Sequence, residues 1–166
     1  MFHSLSRIEH IDLTGNKLRI LNCAEFVSLH ALYFLTVRSN SISDIIFEPI
    51  KSLQKLKLGH NRLIEIPNWC DVKFNSYFPN LEYLALDNNL ISELNQILCL
   101  PKLKILSLEH NWIKLIPANA FSELLLLKDL ILLQAGNQVK TIQEFAFNTS
   151  SLVSLSLRRC NSFNSF

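Results

Sequence analysis

The chain has 166 residues, and its 32 leucines and 16 isoleucines supply enough branched aliphatic side chains for a substantial core, which excludes an intrinsically disordered chain. Lys and Arg number 16 against 14 Asp and Glu, and the resulting charge of +2 is too small to draw nucleic acid or an acidic membrane by charge alone. No apolar run approaches the roughly 20 residues of a membrane span, and Met1 to Ile11, with Arg7, Glu9 and two histidines, lacks the apolar stretch of a secretory signal.

From the amino terminus onwards one pattern recurs. Leu5, Ile8, Ile11, Leu13, Asn16, Leu18 and Leu21 are matched by Leu29, Leu32, Leu35, Val37, Asn40, Ile42 and Ile45. Ile50, Leu53, Leu56, Leu58, Asn61, Leu63 and Ile66 form the third copy, and Phe78, Leu81, Leu84, Leu86, Asn89, Ile91 and Leu94 the fourth. The fifth is Leu100, Leu103, Leu106, Leu108, Asn111, Ile113 and Ile116; a sixth opens with Leu124, Leu127, Leu130 and Leu132, and a shorter seventh has Leu152, Leu155, Leu157 and Cys160. The copies begin 24, 21, 28, 22, 24 and 25 residues apart. Within each, the apolar-x-apolar core alternates with period two, which predicts a short strand with one buried face. The flanking apolar positions three apart point into the same interior, and no copy alone can bury them, so the copies must stack.

The recurring Asn needs its own reason, because a buried amide is costly without partners. It carries donors and an acceptor, so a column of them can satisfy backbone groups where adjacent coils turn. Cys160 takes that position in the seventh copy as a small buried thiol. In the sixth, Ala135 stands where Asn is expected and Asn137 resumes the pattern two residues late, which predicts a bulge or broken ladder. The third copy has extra length at Asn68 to Tyr77, and Trp69, Phe74 and Tyr77 are expected to pack there as a lid over the core.

This period and internal order resemble the leucine-rich repeat family over essentially the whole chain. The resemblance implies an α/β repeat solenoid: a horseshoe with a parallel concave β-sheet, about seven repeats, and a convex side of loops, 3-10 turns and short helices. It implies one domain over 1–166, with repeats at approximately 5–28, 29–49, 50–77, 78–99, 100–123, 124–148 and 149–166. It also implies a non-enzymatic module that binds a protein partner, or else a structural part of a larger receptor ectodomain or intracellular assembly. The resemblance does not settle location, since copies of both extracellular and intracellular type are mixed. The composition of the amino terminus favours the cytoplasm or nucleus, and an extracellular place follows if the chain is a fragment.

No catalytic set, cofactor or metal site is expected. Glycines at 15, 59 and 136 cannot form a phosphate-binding loop or a nucleophile elbow. Cys23, Cys70, Cys99 and Cys160 are scattered without a C-x-x-C pair, too sparse for a disulfide scaffold. His60 and His110 hold equivalent positions two coils apart, about 10 Å at the spacing of strands, too far for one zinc ion. Asp87 and Glu109 read as two solvated acids, since a shallow regular surface offers no pocket to separate their pKa values.

Parallel strands would align three columns on the concave face. The first is His10, Phe34, Lys55, Tyr83, Ile105, Asp129 and Ser154; the second is Asp12, Thr36, Lys57, Ala85, Ser107, Ile131 and Ser156. The third is Thr14, Arg38, Gly59, Asp87, Glu109, Leu133 and Arg158. Phe34, Tyr83 and Ile105 are the kind of exposed side chains that anchor interfaces. Arg38, Lys55 and Lys57 form a basic half beside them, and Asp87 and Glu109 an acidic half, which would orient a partner.

Overall fold

The computed structural model describes residues 5, 7–95, 97–132, 137–149 and 151–157. Its strands in chain order are β1 (His10–Asp12), β2 (Ile20–Asn22), β3 (Phe34–Thr36), β4 (Asp44–Ile46), β5 (Lys55–Lys57) and β6 (Tyr83–Ala85). They continue as β7 (Ile105–Ser107), β8 (Leu115–Ile116), β9 (Asp129–Ile131), β10 (Thr141–Ile142) and β11 (Ser154–Ser156). Seven of them form a single parallel sheet in the order β1-β3-β5-β6-β7-β9-β11, one strand from each copy of the pattern. The register sets Ile11 against Leu35, Leu35 against Leu56, and so on through Leu84, Leu106, Leu130 and Leu155, so the first two concave columns align as the spacing predicts.

The back of the solenoid is built differently. After the turn, β2 pairs with β4 and β8 with β10, and Glu65 and Glu93 form a parallel bridge between the coils in the middle. The expected short helices reduce, among the described residues, to one 3-10 turn, Cys23–Phe26, where the Asn22 side-chain oxygen accepts the Ala24 N–H. Repeats of this length leave too few residues beyond strand and turn for a longer helix. Between front and back runs a core of Leu and Ile side chains, with Phe26, Phe78 and Phe121 also fully enclosed.

The Asn column stitches the coils together. Asn61 Oδ1 accepts the Ile42 N–H at 3.0 Å, while its Nδ2 donates to the carbonyls of Val37, Leu58 and Gly59. Asn40, Asn89 and Asn111 repeat the arrangement. The position before each Asn turns through the left-handed region: Gly15 (φ 73°), Ser39 (53°), His60 (55°), Asn88 (54°) and His110 (51°). Asn and His tolerate that conformation better than most residues, which accounts for the equivalence of His60 and His110 without a shared ligand.

In the sixth copy Asn137 holds the ladder position despite its displacement, accepting from Ile113 N and donating to Leu108 and Leu132 carbonyls. The expected bulge itself, at Ala135, and the Cys160 substitution lie outside the described residues.

The insertion corrects the expected lid. Trp69 is buried and meets Phe47 edge-on at 5.6 Å, and Tyr77 stacks on Phe47 at 4.9 Å. Phe74 does not join them: it is 75% exposed, with φ 61°, on a tight loop in which Asp71 accepts from the backbone of Lys73 and Asn75 and from the Asn75 side chain. Cys70 and Cys99 form a disulfide, which the sparse cysteine spacing did not suggest.

Candidate binding face

Because successive strand residues alternate faces, the residues on either side of each buried Leu project from the concave side. Phe34, Tyr83 and Ile105 stand in the first column, half-buried by their neighbours, and Lys55 lies exposed between Phe34 and Tyr83 in exact register with both. The Phe34 ring is held by His10, stacked on it at 4.3 Å and 2°. Lys57, in the second column, sends its Nζ between the two rings, 5.1 Å from the Phe34 centroid and 5.9 Å from that of Tyr83. An ammonium over a ring face is attracted by the ring's quadrupole, so the two rings hold Lys57, and the Asp12 carboxylate on β1 adds a weaker attraction. Thr36, Ala85 and Ser107 beside it are buried, small residues at the floor of the face.

The third column departs from the sequence reading. Arg38 and Asp87 do not stand in opposite charged halves; they meet in a bidentate pair, Nη1 to Oδ1 at 3.1 Å and Nη2 to Oδ2 at 2.8 Å. They belong to the second and fourth copies, so the pair crosses the third. The crossing is open because that copy carries Gly59: a Cβ built there would fall 2.6 Å from Asp87 Oδ1. Asp87 is therefore buried, not the solvated acid expected from sequence, with Asn88 donating to Oδ2 at 3.1 Å and His60 Nε2 3.9 Å from the same oxygen. Glu109 stays half-exposed one strand further on, and the flank adds a pair between Lys104 and Glu82 at 2.9 Å. Burial pushes the Tyr83 phenol above its ordinary range, helped by the Asp87 and Glu109 charges and opposed by Arg38.

Of the eight residues read from the columns, the structure thus brings together Phe34, Lys55, Lys57 and Tyr83, joins Arg38 to Asp87, and sets Ile105 and Glu109 on β7 and its continuation. Sequence reasoning missed His10 as a support for Phe34 and Gly59 as the opening under the ion pair. The signal for Gly59 was visible: a residue without a side chain in a column of long ones. Among the described residues no three His, Cys, Asp or Glu side chains converge as metal ligands, and no helix is long and apolar enough to cross a membrane.

Stacked coils, a parallel front sheet and an Asn column define the class: the chain is a leucine-rich repeat protein. It is 26% identical to osteomodulin of Bos taurus, over 82% of this chain and 42% of that protein. It is 29% identical to a protein phosphatase PHLPP-like protein of Drosophila melanogaster, over 91% of this chain and 19% of that one. Among solved structures it resembles TLR13 in a TLR13–ssRNA13 complex (TM-score 0.62, 26% identity, 91% of this chain and 25% of that). It also resembles the Toll–Spatzle complex, in its glycosylated form (TM-score 0.67, 24% identity, 91% and 24%). The chain therefore spans less than half the length of each of these proteins. No protein-family model matches the chain. The fold is one typical of binding modules and generally not catalytic.

Proposed function

We propose that the protein is a non-enzymatic module that binds a protein partner through its concave face, in one repeat array over 1–166. The observation that carries this reading is the continuous patch of Phe34, Lys57 and Tyr83, where two half-buried rings hold a cation between them. Aromatic anchors beside fixed charges are what interface hot spots are made of. Ile105, Lys55 and Glu109 extend the patch, and the Arg38–Asp87 pair borders it. The experiment compares proteins captured by the wild-type chain with those captured by the Phe34→Ala/Tyr83→Ala variant. Partners lost from the variant support the reading, and an unchanged set rules this face out.

The Cys70–Cys99 disulfide supports work in an oxidising compartment. A second reading, a structural part of a larger repeat assembly, is favoured at the β1 edge of the sheet. There Leu13, Leu18, Ile20, Leu21 and Phe26 line a mainly apolar groove of about 490 Å³. Solution mass separates the two: a clean monomer supports an autonomous module, and concentration-dependent association supports the assembly.

A further inference from the structure

With Arg38 and Asp87 bound to each other, the charge that the concave face offers a partner is not the bipolar one that its sequence suggests. Among the described residues Lys55 and Lys57 have no ion pair, and both project from the same side of β5. They form the floor of a trough. Phe34 on β3 and Tyr83 on β6 are its side walls, in register with Lys55. The Arg38–Asp87 pair, lying over Gly59 two residues beyond Lys57, closes its end.

We propose that this trough receives an extended acidic segment of the partner protein, with two carboxylates in an acid-x-acid arrangement against Lys55 and Lys57. The proposal rests on the concave-face reading above and names the partner's chemistry. Residues two apart on a strand are about 6.6 Å apart along it, and an extended segment lying along β5 presents alternate side chains to it at the same spacing. Carboxylates at i and i+2 therefore reach both ammonium groups at once, between the Phe34 and Tyr83 walls, while the side chain between them points away from the sheet. Because Lys57 is already positioned by the rings, little side-chain freedom is lost when it is engaged. A single-stranded nucleic acid fits the same trough poorly. Its bases need open ring faces to stack on, and here one face of Phe34 is covered by His10 while Lys57 lies over both Phe34 and Tyr83. Asp12 on β1 and Glu109, two residues beyond the end of β7, further disfavour a polyanion that runs across the sheet past the trough.

The test uses labelled short peptides centred on Glu-Val-Glu, matched peptides centred on Lys-Val-Lys, and a single-stranded oligouridylate, read by fluorescence anisotropy at low and high salt. The expected result is that the Glu peptide binds about tenfold or more tighter than the Lys peptide, and weakens with salt. Lys55→Ala/Lys57→Ala should remove that preference, with circular dichroism and melting showing the variant folded. No binding of the Glu peptide, equal binding by the lysine variant, or tighter binding of the oligonucleotide overturns the proposal. If the Lys peptide binds better and Phe34→Ala/Tyr83→Ala abolishes it, the acidic chemistry fails while the concave face stands. If the Glu peptide binds and neither double variant affects it, both readings fail.

Discussion

Gly15 and Gly59 show how differently one residue type serves two positions. Gly15 has φ 73° with open space around its missing Cβ, in a conformation that Ser39, His60, Asn88 and His110 adopt in the next coils, so alanine there meets only local strain of about 1 kcal/mol. Gly59 is needed for its emptiness. Gly59→Ala should push the Asp87 carboxylate aside, break its bidentate bond to Arg38 and destabilise the fold by about 1–3 kcal/mol, because a buried charge loses its partner. Urea unfolding of Gly59→Ala and Gly15→Ala checks this, and a Gly59 variant no weaker than the Gly15 one would refute it. Asn111 is the other residue whose loss should be large. It is fully enclosed and its amide meets one N–H and three carbonyls. Asn111→Ala leaves the Ile91 N–H unpaired and takes one of two donors from each carbonyl, which keep Asn89 Nδ2, Asn137 Nδ2 and Asn88 N, so a loss of about 1–3 kcal/mol is expected in the same assay.

At the scale of elements, the 3-10 turn Cys23–Phe26 carries a thiol with no access to water, and burial pushes the Cys23 pKa up to about 12 from an ordinary 9.0. A raised pKa favours the neutral form in the folded state, so its contribution is complete below about pH 9 and is lost as pH rises towards 12. The three-unit difference corresponds to about 4 kcal/mol. Cys23→Ala should flatten the fall in stability over that window, and denaturant midpoints measured from pH 8 to 11 check it; parallel curves for variant and wild type would contradict it. The insertion makes a separate prediction. Cys70 and Cys99 are 29 residues apart, and opening a loop of that size gives the unfolded chain freedom worth about 3–4 kcal/mol. Cys70→Ser/Cys99→Ser, or reduction, should lower the unfolding free energy by roughly that amount. What sequence could and could not reveal follows the same division. The strands, their register and the ladder were legible because a period of two inside a period near 24 leaves one way to stack the coils. The disulfide was legible only in hindsight, as two cysteines about one repeat apart. Which aromatic of the insertion turns inward was not, since 68–77 has no periodicity to separate buried Trp69 from exposed Phe74. The concave residues could be placed in columns, but their mutual pairing depends on side-chain reach. A guanidinium can span two strand spacings only when the residue between is as small as Gly59.

For the molecule as a whole, stacked repeats touch mainly their neighbours, and stability in such an array is a sum of repeat terms and nearest-neighbour interfaces. The described sheet should then be weakest at its edges and strongest in the middle, where Leu56, Leu84 and Leu106 are sealed on both sides while Leu155 at the β11 edge is 39% exposed. The Arg38–Asp87 pair adds a term that simple stacking lacks, because it ties the second copy to the fourth across the third. Its effect is separable from a local loss. Arg38→Ala leaves every backbone ladder in place, yet removes the only bidentate side-chain link between non-adjacent coils among the described residues. Hydrogen exchange read strand by strand should therefore show faster exchange in β3, β5 and β6 together, with β9 and β11 unchanged. Exchange raised in β3 alone would mean that the pair acts only within its own coil. Exchange raised equally across the sheet would mean that the array unfolds as a single unit, and that the pair has no role in coupling particular repeats.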